Sequence, residues 1–82
     1  MIFIAVVDKD PDTAYGIRFP DLPGCFSASD NQGDIISNAQ EALRCHLDGK
    51  QSPAPSDLEE IRELAADDIT NGCLLLAVPF TF

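Results

Sequence analysis

Fourteen acidic side chains, three cysteines and one histidine are the groups of this 82-residue chain that could do chemistry. Metal-assisted cleavage of a phosphodiester needs several carboxylates converging from core strands on a Mg²⁺ ion. Asp8, Asp10 and Asp12 crowd a turn-forming stretch instead, and neither Ile2 to Val7 before them nor Leu74 to Phe82 contains an acid. Glu41 falls on the solvent side of a helical pattern, and Asp21 belongs to the opposite end of the implied sheet. Cys25 and His46 could be imagined as a nucleophile and its base. Cys25, however, sits inside a strand pattern next to Phe26, the place of a small buried hydrophobe. His46 falls on the apolar arc of a helix, the place of a packed core or boundary residue. With no second histidine and no C-x-x-C, a structural zinc site is not expected. These residues predict no catalytic centre, no metal and no cofactor. The alternative enzyme reading is a residual Mg²⁺-dependent nuclease using Asp8, Asp10 or Asp12.

Charge narrows the range of partners. The formal net charge is −9 at pH 7, and the five basic residues (Lys9, Arg18, Arg44, Lys50, Arg62) are scattered without a patch. Nucleic-acid binding depends on Lys and Arg neutralising phosphates, so direct binding by this chain is not expected. An acidic surface favours fast encounter with a basic protein. No run approaches the roughly 18 apolar residues of a membrane span. Met1-Ile2-Phe3-Ile4 enters a strand pattern without a basic leader, and Cys25, Cys45 and Cys73 are odd in number and widely spaced. Both features predict a cytoplasmic protein with reduced thiols.

The elements that must position these groups read as one small α+β domain over 1–82. A chain of this length buries roughly 60% of its unfolded surface and has room for one core. Ile2 to Val7 is a β-branched run that reads as a strand covered on both sides. Tyr15, Ile17 and Phe19 alternate with Gly16 and Arg18, the period of a half-buried strand. Pro20-Asp21-Leu22-Pro23-Gly24 is a rigid corner, with two prolines fixing φ and a glycine free to take positive φ. A third strand, Cys25–Ser29, completes an antiparallel meander. Asn31 with Asp34 then caps a helix whose apolar arc is Ile35, Ala39, Ala42, Leu43 and His46, and Gly49 ends it. Ser56 with Glu59 reads as the capping box of a shorter helix carrying Leu58, Ile61, Leu64 and Ala65, broken at Asp67-Asp68. A fourth strand from Cys73 must sit at an edge because of Pro79. The order β-β-β-α-(α)-β, with a helix on one face, predicts strand order 3-2-1-4 with the last strand parallel to the first. That edge could pair with another chain, so a homo-oligomer is expected.

The Tyr15-led strand, Phe19-Pro20-Asp21-Leu22-Pro23-Gly24-Cys25, Ser27, Asp30, Asn38-Ala39-Gln40-Glu41-Ala42-Leu43 and Pro53-x-Pro55-Ser56 together resemble the HicB-type antitoxins. The resemblance departs at Ser29, Gly33, Asp34 and Ile35. It implies a partial ribonuclease-H-like fold, here without that fold's metal site. It also implies a non-enzymatic antitoxin that binds and occludes a small, basic, HicA-like messenger-RNA-cleaving toxin. Many members continue into a C-terminal DNA-binding module, and residues 1–82 are expected to hold the HicB-like antitoxin domain with that module absent from this stretch. The corner is a good docking element because a rigid segment loses little entropy on binding. Asp21, Leu22 and Pro23 are therefore the candidate partner-binding residues. A stand-alone oligomeric binding module is the remaining alternative.

Overall fold

β-branched and aromatic residues in Ile2–Lys9 form the first and longest strand, β1, and Tyr15–Arg18 (β2) and Phe26–Ser29 (β3) extend it into a meander. The computed structural model describes residues 1–9, 14–51 and 53–81. A single 3₁₀ turn, Gln32–Asp34, leads into helix α1, Ile35–Leu47. Two short helices follow, α2 (Leu58–Leu64) and α3 (Ala66–Thr70), and then strand β4, Leu74–Pro79. The sheet order is β3-β2-β1-β4, as expected.

One expectation is overturned. β4 runs antiparallel to β1, with Ile2 opposite Pro79 and Val7 opposite Leu74. The reason is a second helical pass. After β3 the chain crosses one face of the sheet as α1, and a strand following directly would have been parallel to β1. Instead, α2 and α3 carry the chain back along the other face, anchored where the Arg18 guanidinium pairs with Asp68 of α3. The last strand therefore starts from the opposite end.

The pleat sorts the side chains between two layers. Phe3, Ala5, Val7, Ile17, Phe19, Val78 and Phe80 meet Ile35, Ala39, Leu43 and Leu47 of α1 in the main core. Phe3 and Phe19 touch edge to face, with centroids 6.5 Å apart, a geometry aromatic pairs favour. The second face carries Ile4, Val6, Asp8, Gly16, Arg18, Phe26 and Ala28, and there Val6, Ile61 and Ala65 are buried under the second pass. Covering on both sides thus holds for the middle of β1, whereas Ile2 is exposed at its end.

The local signals hold with small displacements. Asn31 Oδ1 accepts the expected cap bond from Asp34 N–H at 3.0 Å, but Asp34 Oδ2 takes Asn31 Nδ2 at 2.9 Å instead of the Asn31 backbone N–H of a capping box, which donates to Ser29 Oγ at 3.3 Å. They close the 3₁₀ turn ahead of α1. The capping box of α2 is Asp57 with Glu60, one residue beyond the predicted Ser56 and Glu59. Ser56 is engaged elsewhere. Asp67 and Asp68 do not break the helical region; the break falls at Ala65, and both acids occupy the first turn of α3, where the helix dipole favours them. Gly49 takes φ +69° after α1, as its role as a helix stop requires.

Candidate functional site

The corner between β2 and β3 consists of two consecutive turns. Leu22 N–H donates to Phe19 O and Cys25 N–H to Leu22 O, each at 3.0 Å. Pro20 and Pro23 occupy the second position of their respective turns, where a fixed φ is preorganised. Gly24, with φ +90°, supplies the positive φ that a proline-glycine type II turn demands. A Cβ there would meet His46 Cε1 at 3.9 Å, an ordinary contact. Backbone conformation, not crowding, selects glycine.

The three predicted site residues have different environments. Leu22 is buried and belongs to the main core. Asp21 is half-buried, and its carboxylate accepts the Ser56 backbone N–H at 2.8 Å and the Ser56 hydroxyl at 2.6 Å. Its carboxylate is thus committed within the fold. Pro23 is exposed. Next to it, Phe26 projects from the second face with 69% of its surface exposed. Phe26 lies opposite Arg18, and Ala28 lies opposite the exposed Gly16. Among the described residues, α2 and α3 reach this β2–β3 part of the second face only at the Arg18–Asp68 pair and leave the rest bare, with Pro20, Pro23 and Phe26 along one groove and Asp8, Arg18 and Asp68 along the next.

The candidate catalytic groups do not assemble. Cys25 is buried, its thiol donates to Ala42 O at 3.7 Å, and burial, then the nearby Cys45, pushes its pKa up. A thiol kept protonated is a poor nucleophile. His46 is half-buried against the corner. Cys73 is also raised, by burial first and then by Asp8 and Asp68. Asp8 lies in β1 opposite Gly16 rather than in the turn, and Asp10 and Asp12 fall outside the described residues. Among the described residues no group of three His, Cys, Asp or Glu could hold a metal ion. For Phe26 the alternation Cys25-Phe26-Ser27 signals its face, although nothing local signals that this face is uncovered.

A family model described as the HicB-like antitoxin of bacterial toxin–antitoxin systems matches residues 3–78. The chain belongs to the HicB-like antitoxin family. Solved HicB structures share the fold. A chain of the HicA3 and HicB3 toxin–antitoxin complex superposes with TM-score 0.82 at 27% identity, covering 100% of both chains. The Burkholderia pseudomallei antitoxin HicB gives TM-score 0.78 at 29% identity over 96% of this chain and 62% of that one. An uncharacterized 14.9 kDa protein of Haemophilus phage HP1 is 39% identical over 49 residues, 60% of this chain and 36% of the phage protein. The matched stretch spans about a third of that relative's length. No helix of the described residues is long and apolar enough to cross a membrane.

Proposed function

We propose that this chain is the toxin-binding part of an antitoxin. It captures a small, basic, HicA-like messenger-RNA-cleaving toxin in the cytoplasm and neutralises it by occlusion, without catalysis of its own. The observation that carries this reading is the full-length match to a chain of the HicA3 and HicB3 complex, at TM-score 0.82. The net charge of −9 gives an independent physical reason for a basic partner. Within that reading, the docking surface is the corner with the bare sheet face beside it. Pro23 and Phe26 supply the apolar contact, Asp8 lies on the same face, and buried Leu22 with Ser56-bound Asp21 holds the corner rigid. Exposed aromatic side chains on a preorganised scaffold are the usual anchors of such interfaces. The chain itself does not bind DNA in this account.

Co-expression with the adjacent open reading frame tests the proposal. The neighbouring protein arrests growth when expressed alone, and this chain restores growth and co-purifies with it. A neighbour that is neither toxic nor retained would end the antitoxin reading.

A further inference from the structure

The two edges of the sheet are not equivalent. Phe80 N–H donates to Met1 O at 2.8 Å, and the Met1 amino group donates to Phe80 O at 3.0 Å. Met1 and Phe80 are therefore a hydrogen-bonded pair, and antiparallel pairs alternate. In the observed register Phe3–Val78, Ala5–Leu76 and Val7–Leu74 are also bonded pairs, while Ile2–Pro79, Ile4–Ala77 and Val6–Leu75 are not. The β4 members of the latter group turn their backbone N and O outward. Pro79 has no N–H to offer, and its carbonyl already accepts Gln40 Nε2 at 2.8 Å. At the other end Cys73 N–H is committed to Asp68 O at 2.9 Å. Among the described residues, no partner meets the N–H and C=O of Leu75 and Ala77, a short open segment.

The same alternation on β3 turns Phe26 and Ala28 outward, and there the Ala28 carbonyl accepts Asn38 Nδ2 at 2.9 Å from α1. Ser27 Oγ adds a bond to Asn38 O at 3.1 Å. The β3 edge is thus tied to α1 at its middle, and the β4 edge is closed only at its ends.

We propose that the β4 edge pairs with β4 of a second copy of this chain, antiparallel about a two-fold axis at Leu76. In that register Leu75 faces Ala77 of the partner subunit and Ala77 faces Leu75 of the partner subunit, giving four backbone hydrogen bonds. The strand is self-complementary over this stretch and blocked beyond it. Pro79 and its Gln40 cover limit the ladder at one end, and the turn into Cys73 limits it at the other. Leu76 of the two copies meets side by side on the α1 face, with Leu74, 66% exposed in the single chain, at the margin of the joined sheet. An open sheet edge is satisfied at low entropic cost by an identical strand. This pairing is independent of any toxin, because the bare β2–β3 face stays free in it.

Sedimentation of the full chain at tens of micromolar, with and without Ala77→Pro, tests the pairing. Proline at 77 repeats what Pro79 already does, removing an outward N–H without touching the ladder to β1. Two-fold symmetry doubles the loss to two of four bonds, so the dissociation constant rises about tenfold or more while the circular dichroism stays unchanged. In a Cys45→Ser, Cys73→Ser background, Leu76→Cys oxidises to a covalent dimer, because facing non-bonded residues lie about 4.5 Å apart at Cα. Ser37→Cys on the solvent side of α1 does not. A monomeric wild type, an undiminished Ala77→Pro dimer, or cross-linking as fast at 37 as at 76 would overturn the proposal.

Discussion

Asp21 and Ser56 join segments 35 residues apart in the chain, with both carboxylate oxygens accepting bonds from one residue. The contact ties the corner between β2 and β3 to the start of α2. It links the proposed docking surface to the second helical pass, so the corner is held from behind as well as by its own turns.

Asp21→Ala removes both bonds and leaves a half-buried N–H and hydroxyl without their acceptor. The expected loss is about 1–3 kcal/mol, read as a lower urea midpoint with an unchanged slope. Ser56→Ala loses less, because the backbone N–H bond survives. A midpoint for Asp21→Ala equal to wild type would show that the contact does not stabilise the fold.

Gly24→Ala forces a side chain into φ +90°. There is room for the Cβ, so the strain is purely conformational, about 1–2 kcal/mol. Urea unfolding should show it, and Pro23→Ala should cost less because only unfolded-state stiffness is lost.

Burial raises the Cys25 pKa, with Cys45 adding to the shift, and Cys73 moves the same way. A raised folded pKa means the stability contribution is intact below the ordinary thiol value and is lost as pH rises through the folded value. Stability should be flat across neutral pH and fall in the alkaline range, and Cys25→Ala should flatten that fall. At mildly alkaline pH, iodoacetamide should modify the exposed Cys45 well before Cys25.

Much of this architecture can be read from the residues. The period-two strands, the proline-glycine corner, the α1 stripe and the edge position forced by Pro79 are local signals, and the strand order followed from them. The direction of β4 did not, because it depends on whether α2 and α3 cross the sheet. That is decided by Val6, Ile61, Ala65 and the Arg18–Asp68 pair, all long-range. Ser56 and Asp57 are equally good caps on paper; Asp21, far away in sequence, occupies Ser56 and leaves the cap to Asp57. The corner was recognised as a rigid element, but the burial of Leu22 and the engagement of Asp21 leave Pro23 as its exposed member. Phe26 carries no local mark of its role, because long-range placement of α2 and α3 decides that its face is uncovered.

Labelled RNA incubated with the purified chain and Mg²⁺ should stay intact, and Asp8→Asn should change nothing. Turnover abolished by that substitution would reinstate the nuclease alternative. Likewise, a mobility assay with the upstream intergenic DNA at physiological salt should show no shift by this chain alone, since its five basic residues face fourteen acids.

Inhibition of the neighbouring toxin's RNA cleavage by wild-type chain and by Phe26→Asp decides whether this chain neutralises a toxin through its bare sheet face. Phe26 is 69% exposed, so the substitution should leave stability within about 0.5 kcal/mol. The wild-type chain should form a tight complex and suppress cleavage, weakening as salt screens the charge attraction. Phe26→Asp should bind at least about tenfold more weakly, the loss expected for an aromatic anchor. Full inhibition by Phe26→Asp and by Pro23→Asp would place the toxin on another surface. Cleavage undiminished by saturating wild-type chain would mean that this chain is not the toxin's antitoxin.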